Sequence, residues 1–402
     1  MKQGWKIMKL GEVCDIYAGQ SAPQGDENYS SQGTPFIKAG NLEALTSGEL
    51  ESNIQQVSEG VAKSHKLVKY KKGSVVFAKS GMSCMKGYIY TLQGDCYVVS
   101  HLAILTPKQI ESSYLNYCLQ IYKPCSLAKE AAFPSITLKE LSSFEVPVPT
   151  ISEQQRIVDL LDAEFAKIDA LKANAEKNLQ NAKDLFQAAL NKLIIGGSKG
   201  WKSTKLKTIC SKIGSGATPL GGKSTYGKEG VSLIRSLNVH NNEFHYEDLA
   251  HINEEQAKQL SNVEIKENDV LFNITGASVT RCCKVPKNVL PARVNQHVSI
   301  LRLLPYTLLP NFLVYTMISP HHNSALMKMA ENGATRQAIT KKQLEEWVIK
   351  YPETIADQQS IVSRLDTLSE KCKALQANYE KTLSLCDDLK QALLRKAFNG
   401  EI

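Results

Sequence analysis

No apolar run in the 402 residues is long enough to cross a bilayer, and the opening Met-Lys-Gln-Gly-Trp-Lys lacks the apolar core of a signal peptide. These absences point to a cytoplasmic protein with no membrane partner. The ten cysteines, at 14, 84, 96, 118, 125, 210, 282, 283, 372 and 386, contain no Cys-x-x-Cys, so reduced, mostly buried thiols are expected in place of disulfides or structural zinc. There is no His-Glu-x-x-His zinc helix and no Gly-x-Ser-x-Gly elbow. The Asn-Pro-Pro-aromatic or Asp-Pro-Pro-aromatic tetrapeptide that a base methyltransferase places at its flipped base is absent too, as is a strand-linked Gly-rich loop for a methyl donor. His321-His322 and Cys282-Cys283 are adjacent pairs, a poor spacing for chelating one metal ion. The chain is expected to catalyse nothing and to hold no metal or cofactor.

What is present is ordinary globular composition, 43% hydrophobic and 22% charged, in a length that allows two or three domains. One stretch, Gly214 to Thr225, nearly spells a phosphate-binding loop ending in Gly222-Lys223-Ser224. The first position is Ala217, the preceding segment Leu206 to Ile213 is rich in lysine, and Gly227 and Gly230 oppose the helix that should follow. An ATP- or GTP-binding protein using Lys223 is therefore the weaker reading. A shared Gly/Pro turn explains the stretch with less, because the stretch has a counterpart near the N-terminus.

The chain is written twice. Gly4-Trp5-Lys6, with Lys9, Leu10 and Cys14, recurs as Gly200-Trp201-Lys202, with Lys205, Leu206 and Cys210, and Pro23 recurs as Pro219 at the same spacing. Gly33, Ile37, Lys38 and Asn41 match Gly230, Ile234, Arg235 and Asn238. Val75 to Ser83 matches Val270 to Ser278, and His101 and His297 each open a later apolar run. The strongest match is Gln154-Gln155-Arg156-Ile157-Val158 with Leu161-Asp162 against Gln358-Gln359-Ser360-Ile361-Val362 with Leu365-Asp366.

Each mixed segment carries short β-branched runs, such as Ser74 to Ala78 and Val298 to Leu303, broken by Gly, Pro and Asn turns and by helical patches near Ser113 to Tyr122 and Asn311 to Ile318. The spacing predicts an α+β domain with a curved, mainly antiparallel sheet in each copy. After each comes a long helical segment. The first opens on a capping box of Ser152 with Gln155 and stops at Gly196-Gly197. Leu161, Ile168, Ala175, Ala182 and Ala189 recur every seventh residue, joined by Leu171, Leu179, Leu185 and Phe186. The second helix keeps that register with Leu365, Cys372, Tyr379, Cys386 and Leu393, joined by Leu368, Leu375, Leu383 and Leu389. Neither face is stable in water alone, and the simplest partner for each is the other copy. The expected architecture is two pseudo-symmetric α/β domains separated by two long antiparallel helices that form a coiled coil. Boundaries are expected at 1–150, 151–197, 198–351 and 352–402.

Charge follows the same division: residues 1–150 carry net +2 and residues 200–351 net +7, whereas the helical segments are near neutral. An anionic partner should meet the mixed domains. A pure interaction scaffold, recruiting proteins through its coiled coil, would need no such excess.

Pro147-x-Pro149 followed by Glu153-Gln154-Gln155-Arg156-Ile157-Val158-x-x-Leu161-Asp162, a long heptad helix, and Gly-Trp-Lys before each variable domain together resemble the specificity subunit of a type I restriction-modification system. The resemblance covers essentially the whole chain. It departs at the second helix entry, where Lys350-Tyr351-Pro352 replaces Pro147-Val148-Pro149 and Ala356 stands at the place of Ser152. It implies that each mixed domain is a target recognition domain reading one half of a bipartite, asymmetric double-stranded DNA site. It also implies that the helices set the spacer and dock two methyltransferase subunits, with restriction (translocase/nuclease) subunits joining through the complex. S-adenosylmethionine, ATP and Mg then belong to those partners.

Residues that match between copies cannot account for reading different sequences, so they are expected to hold the fold or to touch the sequence-blind backbone. Ser83 with Lys86, and Ser278 with Arg281, are candidates for phosphate contact, as are Lys38 with Asn41 and Arg235 with Asn238. Residues that differ are candidates for base readout: Lys79, Ser80 and Met82 against Ile274, Thr275 and Ala277, and Arg336-Gln337 where the first copy has Phe133-Pro134-Ser135. His101 and His297 are expected to be satisfied core histidines, and Trp5 and Trp201 packing anchors. The helix-pair and partner interface is expected at Leu161, Ile168, Leu171, Leu179, Leu185, Leu365, Leu368, Leu375, Leu383 and Leu389.

Overall fold

The computed structural model describes residues 4–128, 133–196, 200–219, 222, 226–227, 229–331 and 337–402. The chain forms two compact units, Met1–Asn174 with Thr382–Ile402, and Ala175–Lys381. Each unit holds one mixed domain together with parts of both long helices, Ile151–Asn191 and Ile355–Asn399.

In the first unit, β1 (Lys6–Lys9) pairs with β9 (Glu145–Val148) at the entry to the helix. The central sheet is antiparallel, in the order β2 (Cys14–Ala18), β8 (Leu102–Pro107), β5 (Val75–Ala78), β6 (Ile89–Thr91). Beside it lies a smaller sheet, β4 (Gln56–Val57), β3 (Thr34–Ile37), β7 (Tyr97–Val98), in which β3 and β7 run parallel.

The second unit repeats the plan. There β10 (Lys202–Lys205) pairs with β20 (Val348–Tyr351), and the central sheet runs β11 (Cys210–Ser215), β19 (Val298–Leu303), β16 (Val270–Asn273), β17 (Cys282–Lys284). The smaller sheet runs β15 (Ala250–Ile252), β12 (Val231–Ile234), β18 (Ala292–Val294), again with one parallel pair. A hairpin of β13 (Val239–His240) and β14 (Glu243–Phe244) stands where the first unit has the short helix Leu42–Thr46.

Strand β5 shows why the central sheet forms. All four of its side chains are buried, because alternate residues enter different cores. Val75 and Phe77 join Tyr114, Leu115, Ile157 and Leu161 on the helix side, while Val76 and Ala78 join Phe36, Leu42 and Tyr97 beneath the smaller sheet. On β17 the same alternation sends Cys282 to one core and Cys283 to the other, so the two thiols cannot converge on one metal ion. Burial pushes the Cys14, Cys210 and Cys283 thiols up to about 12, which makes them inert protonated groups. Among the described residues no cluster of His, Cys, Asp and Glu could hold a metal, and no helix is long and apolar enough to cross a membrane.

The long helices are seated by buried polar contacts that both copies share. Gln154 is fully buried; its Nε2 donates to the Pro149 carbonyl at 2.9 Å and its Oε1 accepts the Glu111 N–H at 2.8 Å. Gln358, also fully buried, donates to the Pro352 carbonyl and accepts the Leu309 N–H, both at 2.9 Å. Eight residues further on, the hydroxyls of Tyr117 and Tyr315 donate to Asp162 and Asp366, each at 2.5 Å. Helix capping differs from the sequence expectation. Thr150 and Thr354 precede the helices and accept the Glu153 and Asp357 N–H groups at 3.4 and 3.1 Å, whereas Ser152 already lies inside the first turn and Gln155 bonds Asp159. A threonine cap in both copies also removes the significance of Ala356.

Within the first unit the helices meet antiparallel, through Lys172 with Asp387 at 2.8 Å and Asp169 with Lys390 at 2.5 Å. The end of the second helix, Leu394, Ala397 and Phe398, lies in the same core as Ile157 and Leu161. In the second unit Leu190 and Ile194 share a core with Val362 and Leu365. Leu161, Ile168, Ala175, Ala182, Leu365, Cys372 and Cys386 are buried, and Leu179, Leu368 and Leu383 are half-buried. Leu171, Leu185, Leu375 and Leu389, expected at the helix-pair or partner interface, are 40% to 56% exposed, so the helix pair leaves them open.

His322 and Trp347 give the fold a measurable pH response. Trp347 Nε1 donates to His322 Nδ1 at 3.2 Å, and burial, helped by His321, lowers the His322 pKa from 6.5 to about 4. The folded protein keeps this ring neutral, so stability present above pH 6.5 is lost as the pH falls toward 4, where the unfolded chain alone takes up the proton. The loss is up to about 3 kcal/mol. Urea unfolding across this window should show a shallower acid decline for His322→Gln, which keeps an acceptor for Trp347 without a titrating ring. An unchanged slope would remove His322 from the acid response.

Candidate nucleic-acid interface

Sheet topology gathers the variable loops at one end of each domain. In the first unit β2, β3, β5 and β7 all leave the sheets where β8 begins. Gln20 N–H bonds the Val98 carbonyl at 2.8 Å, Val99 N–H bonds Ile37 at 2.9 Å, and Lys79 N–H bonds His101 at 2.9 Å. The segment after residue 133 closes this rim, with Gly81 N–H on the Pro134 carbonyl and Ile136 N–H on the Lys79 carbonyl. The second unit builds the same rim: Asn295 bonds Ile234, Ile274 bonds His297, Gly276 bonds Gln337 and Ile339 bonds Ile274. Lys38, Asn41, Lys79, Ser80, Ser83 and Lys86 thus share one rim, and Arg235, Asn238, Thr275, Ser278, Arg281 and Gln337 share the other. Arg336 lies outside the described residues.

The matched pairs turn inward more than outward. Asn41 and Asn238 use their side-chain oxygens to accept the N–H of Lys38 and Arg235, at 2.8 and 3.0 Å, and Asn238 is buried and also donates to the His245 carbonyl. These asparagines staple a turn. Lys38 reaches Gln55 at 2.8 Å and lies 4.2 Å above the Tyr29 ring, and Arg235 bonds the Asp248 carbonyl beside Tyr226. Lys86 pairs with Glu43 at 3.1 Å, an exposed contact of little stability that DNA could displace. Hydrogen bonds from Lys86 and Tyr88 hold the Glu43 carboxyl below its usual range. Arg281 sits 3.4 Å from His240 Nε2, and His240 stacks on His245 at 3.6 Å. Burial, then His245 and Arg281, lower the His240 pKa, so the imidazole is the neutral neighbour of a cation.

His101 and His297 are not core residues, contrary to expectation. His101 is exposed and His297 half-buried at the rims, because the apolar runs they precede begin one residue later. Their rings hold Ser80 Oγ at 3.0 Å and Thr275 Oγ1 at 2.5 Å. In the second unit the chain of contacts continues from His297 to Gln296 and on to Thr218. The recurrence of a hydroxyl and a histidine at matched places was the signal for this pair, but their sequence separation hid the contact. Trp201 does pack as an anchor, 5.7 Å from Phe312, and Trp5 packs on the core of the first unit.

The stretch that imitates a phosphate loop has a packing role at its first glycines. A Cβ on Gly216 would stand 1.7 Å from the Val294 carbonyl, and one on the equivalent Gly19 would stand 2.2 Å from that of Val99. Both glycines let β2 or β11 cross the neighbouring chain at the rim. Lys223 lies outside the described residues.

A family model for the type I restriction modification DNA specificity domain matches residues 2–181 and again 198–384. The chain belongs to the type I restriction-modification specificity family. Its two halves are two copies of that family's DNA specificity domain, and the family supplies the non-catalytic reading subunit of a larger complex. The EcoBI specificity subunit of Escherichia coli is 27% identical over 67% of this chain, a match that spans under two thirds, 61%, of that protein. The EcoKI specificity subunit of Escherichia coli K12 is 21% identical over 100% of this chain and 90% of its own length. Among solved structures, a chain from work on complex assembly and conformational transition of the type I R-M system superposes with a TM-score of 0.76 at 19% identity, covering 100% of this chain and 99% of that one. The HsdS subunit from Thermoanaerobacter tengcongensis gives 0.59 at 19% identity, covering 100% and 98%. Two α/β domains joined by long helices are thus the fold of this specificity subunit.

The close approach at Gly216 yields a sharp test of the rim's construction. Gly216→Ala should destabilise the specificity subunit by about 1–3 kcal/mol, the usual cost of forcing extra volume into packed backbone. Thermal unfolding would measure it, and an unchanged midpoint would show that β11 can retreat from Val294.

Proposed function

We propose that each mixed domain reads one half of a bipartite, asymmetric double-stranded DNA site through its rim, with the two readers at residues 1–150 and 198–351 and helical segments at 151–197 and 352–402. One observation carries this reading. Both rims share a backbone frame and a hydroxyl–histidine contact, yet the side chains they present differ, with Lys79, Ser80 and Met82 in one and Ile274, Thr275 and Ala277 in the other. A common frame with variable tips is what two independent readers of different sequences require.

The helices have two roles in this reading. They set the unread spacer, and their exposed leucines Leu171, Leu185, Leu375 and Leu389 offer apolar surface on which two methyltransferase subunits dock. Those subunits carry S-adenosylmethionine. Restriction subunits that join the complex carry ATP and Mg. Such a complex acts in the cytoplasm.

Exchange of residues 1–150 for the first domain of another family member tests the independence of the readers. Genome methylation mapping should show one changed half-site and one retained. A change in both halves would mean that the domains read jointly.

A four-residue insertion near Ala182 tests the ruler. It lengthens the first helix by about 6 Å and turns it by about 400°, so the apolar seam moves by only about 40°. The unread gap should widen by one or two base pairs, with both half-sites unchanged. A two-residue insertion rotates the seam by about 200° and should abolish assembly. An unchanged gap in an active four-residue variant would leave the helices as docking surfaces alone.

A further inference from the structure

The rim of the first unit carries apolar side chains that its own fold does not use. Phe133 is 79% exposed, Met82 65% and Met85 53%. Each stands beside a firmly buried neighbour: Pro134 and Ile136 flank Phe133 on its C-terminal side, and Cys84 lies between the two methionines. Backbone bonds strap the two segments together, through Gly81 N–H to the Pro134 carbonyl at 2.9 Å, Ile136 N–H to the Lys79 carbonyl at 2.8 Å, and a bridge between Ser80 and Ser135. The exposed tip is therefore held out by buried anchors.

The second unit supplies an internal control. Its strap is the same, with Gly276 N–H on the Gln337 carbonyl, Ile339 N–H on the Ile274 carbonyl, and a bridge between Thr275 and Ala338. At that tip Ala277 stands where the first unit has Met82, Gln337 stands where it has Pro134, and the position that matches Phe133 is Arg336 in the sequence, outside the described residues. The frame forms on Ala277 at the place of Met82, and Phe133 and Met82 are 79% and 65% exposed, so neither side chain packs to build it. An apolar tip of this size on a rim that also bears Lys79 and Lys86 needs a partner with apolar faces and negative charge around them. Stacked base pairs inside a phosphate backbone have both.

We propose that the first unit drives Phe133, backed by Met82, between two stacked base pairs of its half-site, and that the second unit reads its half without such a wedge. The proposal rests on the DNA-reading function above. Apolar wedges of Phe or Met partly unstack a step and bend the duplex, and pyrimidine–purine steps yield most easily. The first reader then selects for a deformable step at a position where it makes no base-edge hydrogen bond. The second reader, with a polar tip, imposes no such demand.

The test uses the full chain assembled with its methyltransferase subunits and no methyl donor. The DNA carries 2-aminopurine at successive positions of the first half-site, apart from the base that is methylated, and a donor and acceptor dye at its ends. Wild type should raise the fluorescence at one step and bend the DNA by roughly 20–90°. Phe133→Ala should lose both signals and weaken binding roughly tenfold, and Phe133→Leu should keep part of each. Because Phe133 is exposed, thermal unfolding of both variants should match wild type.

Unstacking and bending that survive in a Phe133→Ala, Met82→Ala double variant would overturn the wedge. So would their absence in a wild-type complex whose half-site still changes on exchange of residues 1–150, and in that case the reading function stands alone. If Phe133→Ala sheds the methyltransferase while the assembled fraction bends DNA normally, the patch is a protein contact and the wedge falls. No DNA binding by the wild-type complex would end both ideas.

Discussion

Gln154 and Gln358 commit fully buried side-chain amides to two and three backbone groups respectively, and the placement of the long helices depends on that commitment. Every bond joins the first turn of a helix to the domain that precedes it in the chain. Removing either amide would strand a backbone N–H and a carbonyl in a site closed to water, at a cost of about 1–3 kcal/mol. Tyr117 and Tyr315 fix the same helices two turns later, so both the position and the rotation of each helix are specified. Rotation decides which apolar column is buried and which leucines stay outside. The exposed leucine column is thus a consequence of where two glutamines and two tyrosines hold the helices.

Duplication separates framework from tip more clearly than any single domain could. The strand order, the parallel pair in the smaller sheet, the close approach at Gly19 and Gly216, and the hydroxyl–histidine contact occur in both units. What differs lies on the loops: a helix at Leu42–Thr46 against a hairpin at Val239–Phe244, and an apolar tip against a polar one. A reader that must change its sequence without losing its fold needs this division, because loop residues can vary without opening a core cavity.

Much of this was legible in the sequence, for physical reasons. Val75 to Ala78 and Val298 to Leu303 read as strands because buried strands need β-branched runs, and the heptads announced the helices because a seam repeats every seventh residue. The cap at Thr150 was missed in favour of Ser152, since both are good caps and only the backbone decides which one stands outside the first turn. The heptads placed Leu171, Leu185, Leu375 and Leu389 at a helix-pair or partner interface without telling the two apart, because spacing alone does not say which apolar column a neighbouring helix covers. The rim was the least legible part. Ser80 and His101, or Thr275 and His297, meet only because a parallel pair and an antiparallel sheet end at one place.

Charge then constrains how the specificity subunit can hold DNA. Residues 1–150 carry only net +2, and of the rim cations in that copy Lys38 is engaged with Gln55 and Tyr29 and Lys86 with Glu43. The second copy is more basic, at net +7, yet Arg235 is committed to the Asp248 carbonyl. Non-specific affinity grows with the number of phosphates neutralised, each releasing bound counterions. With Lys38, Lys86 and Arg235 each partly engaged, fewer counterions are released, so long-range attraction contributes less and shape-dependent contacts must do more. A reader built this way gains discrimination, because its contacts reward a fitting sequence more than any stretch of phosphate. In the proposed reading the remaining phosphate contacts come from elsewhere in the assembly, which would make subunits docked on the helices as necessary for tight binding as the rims themselves.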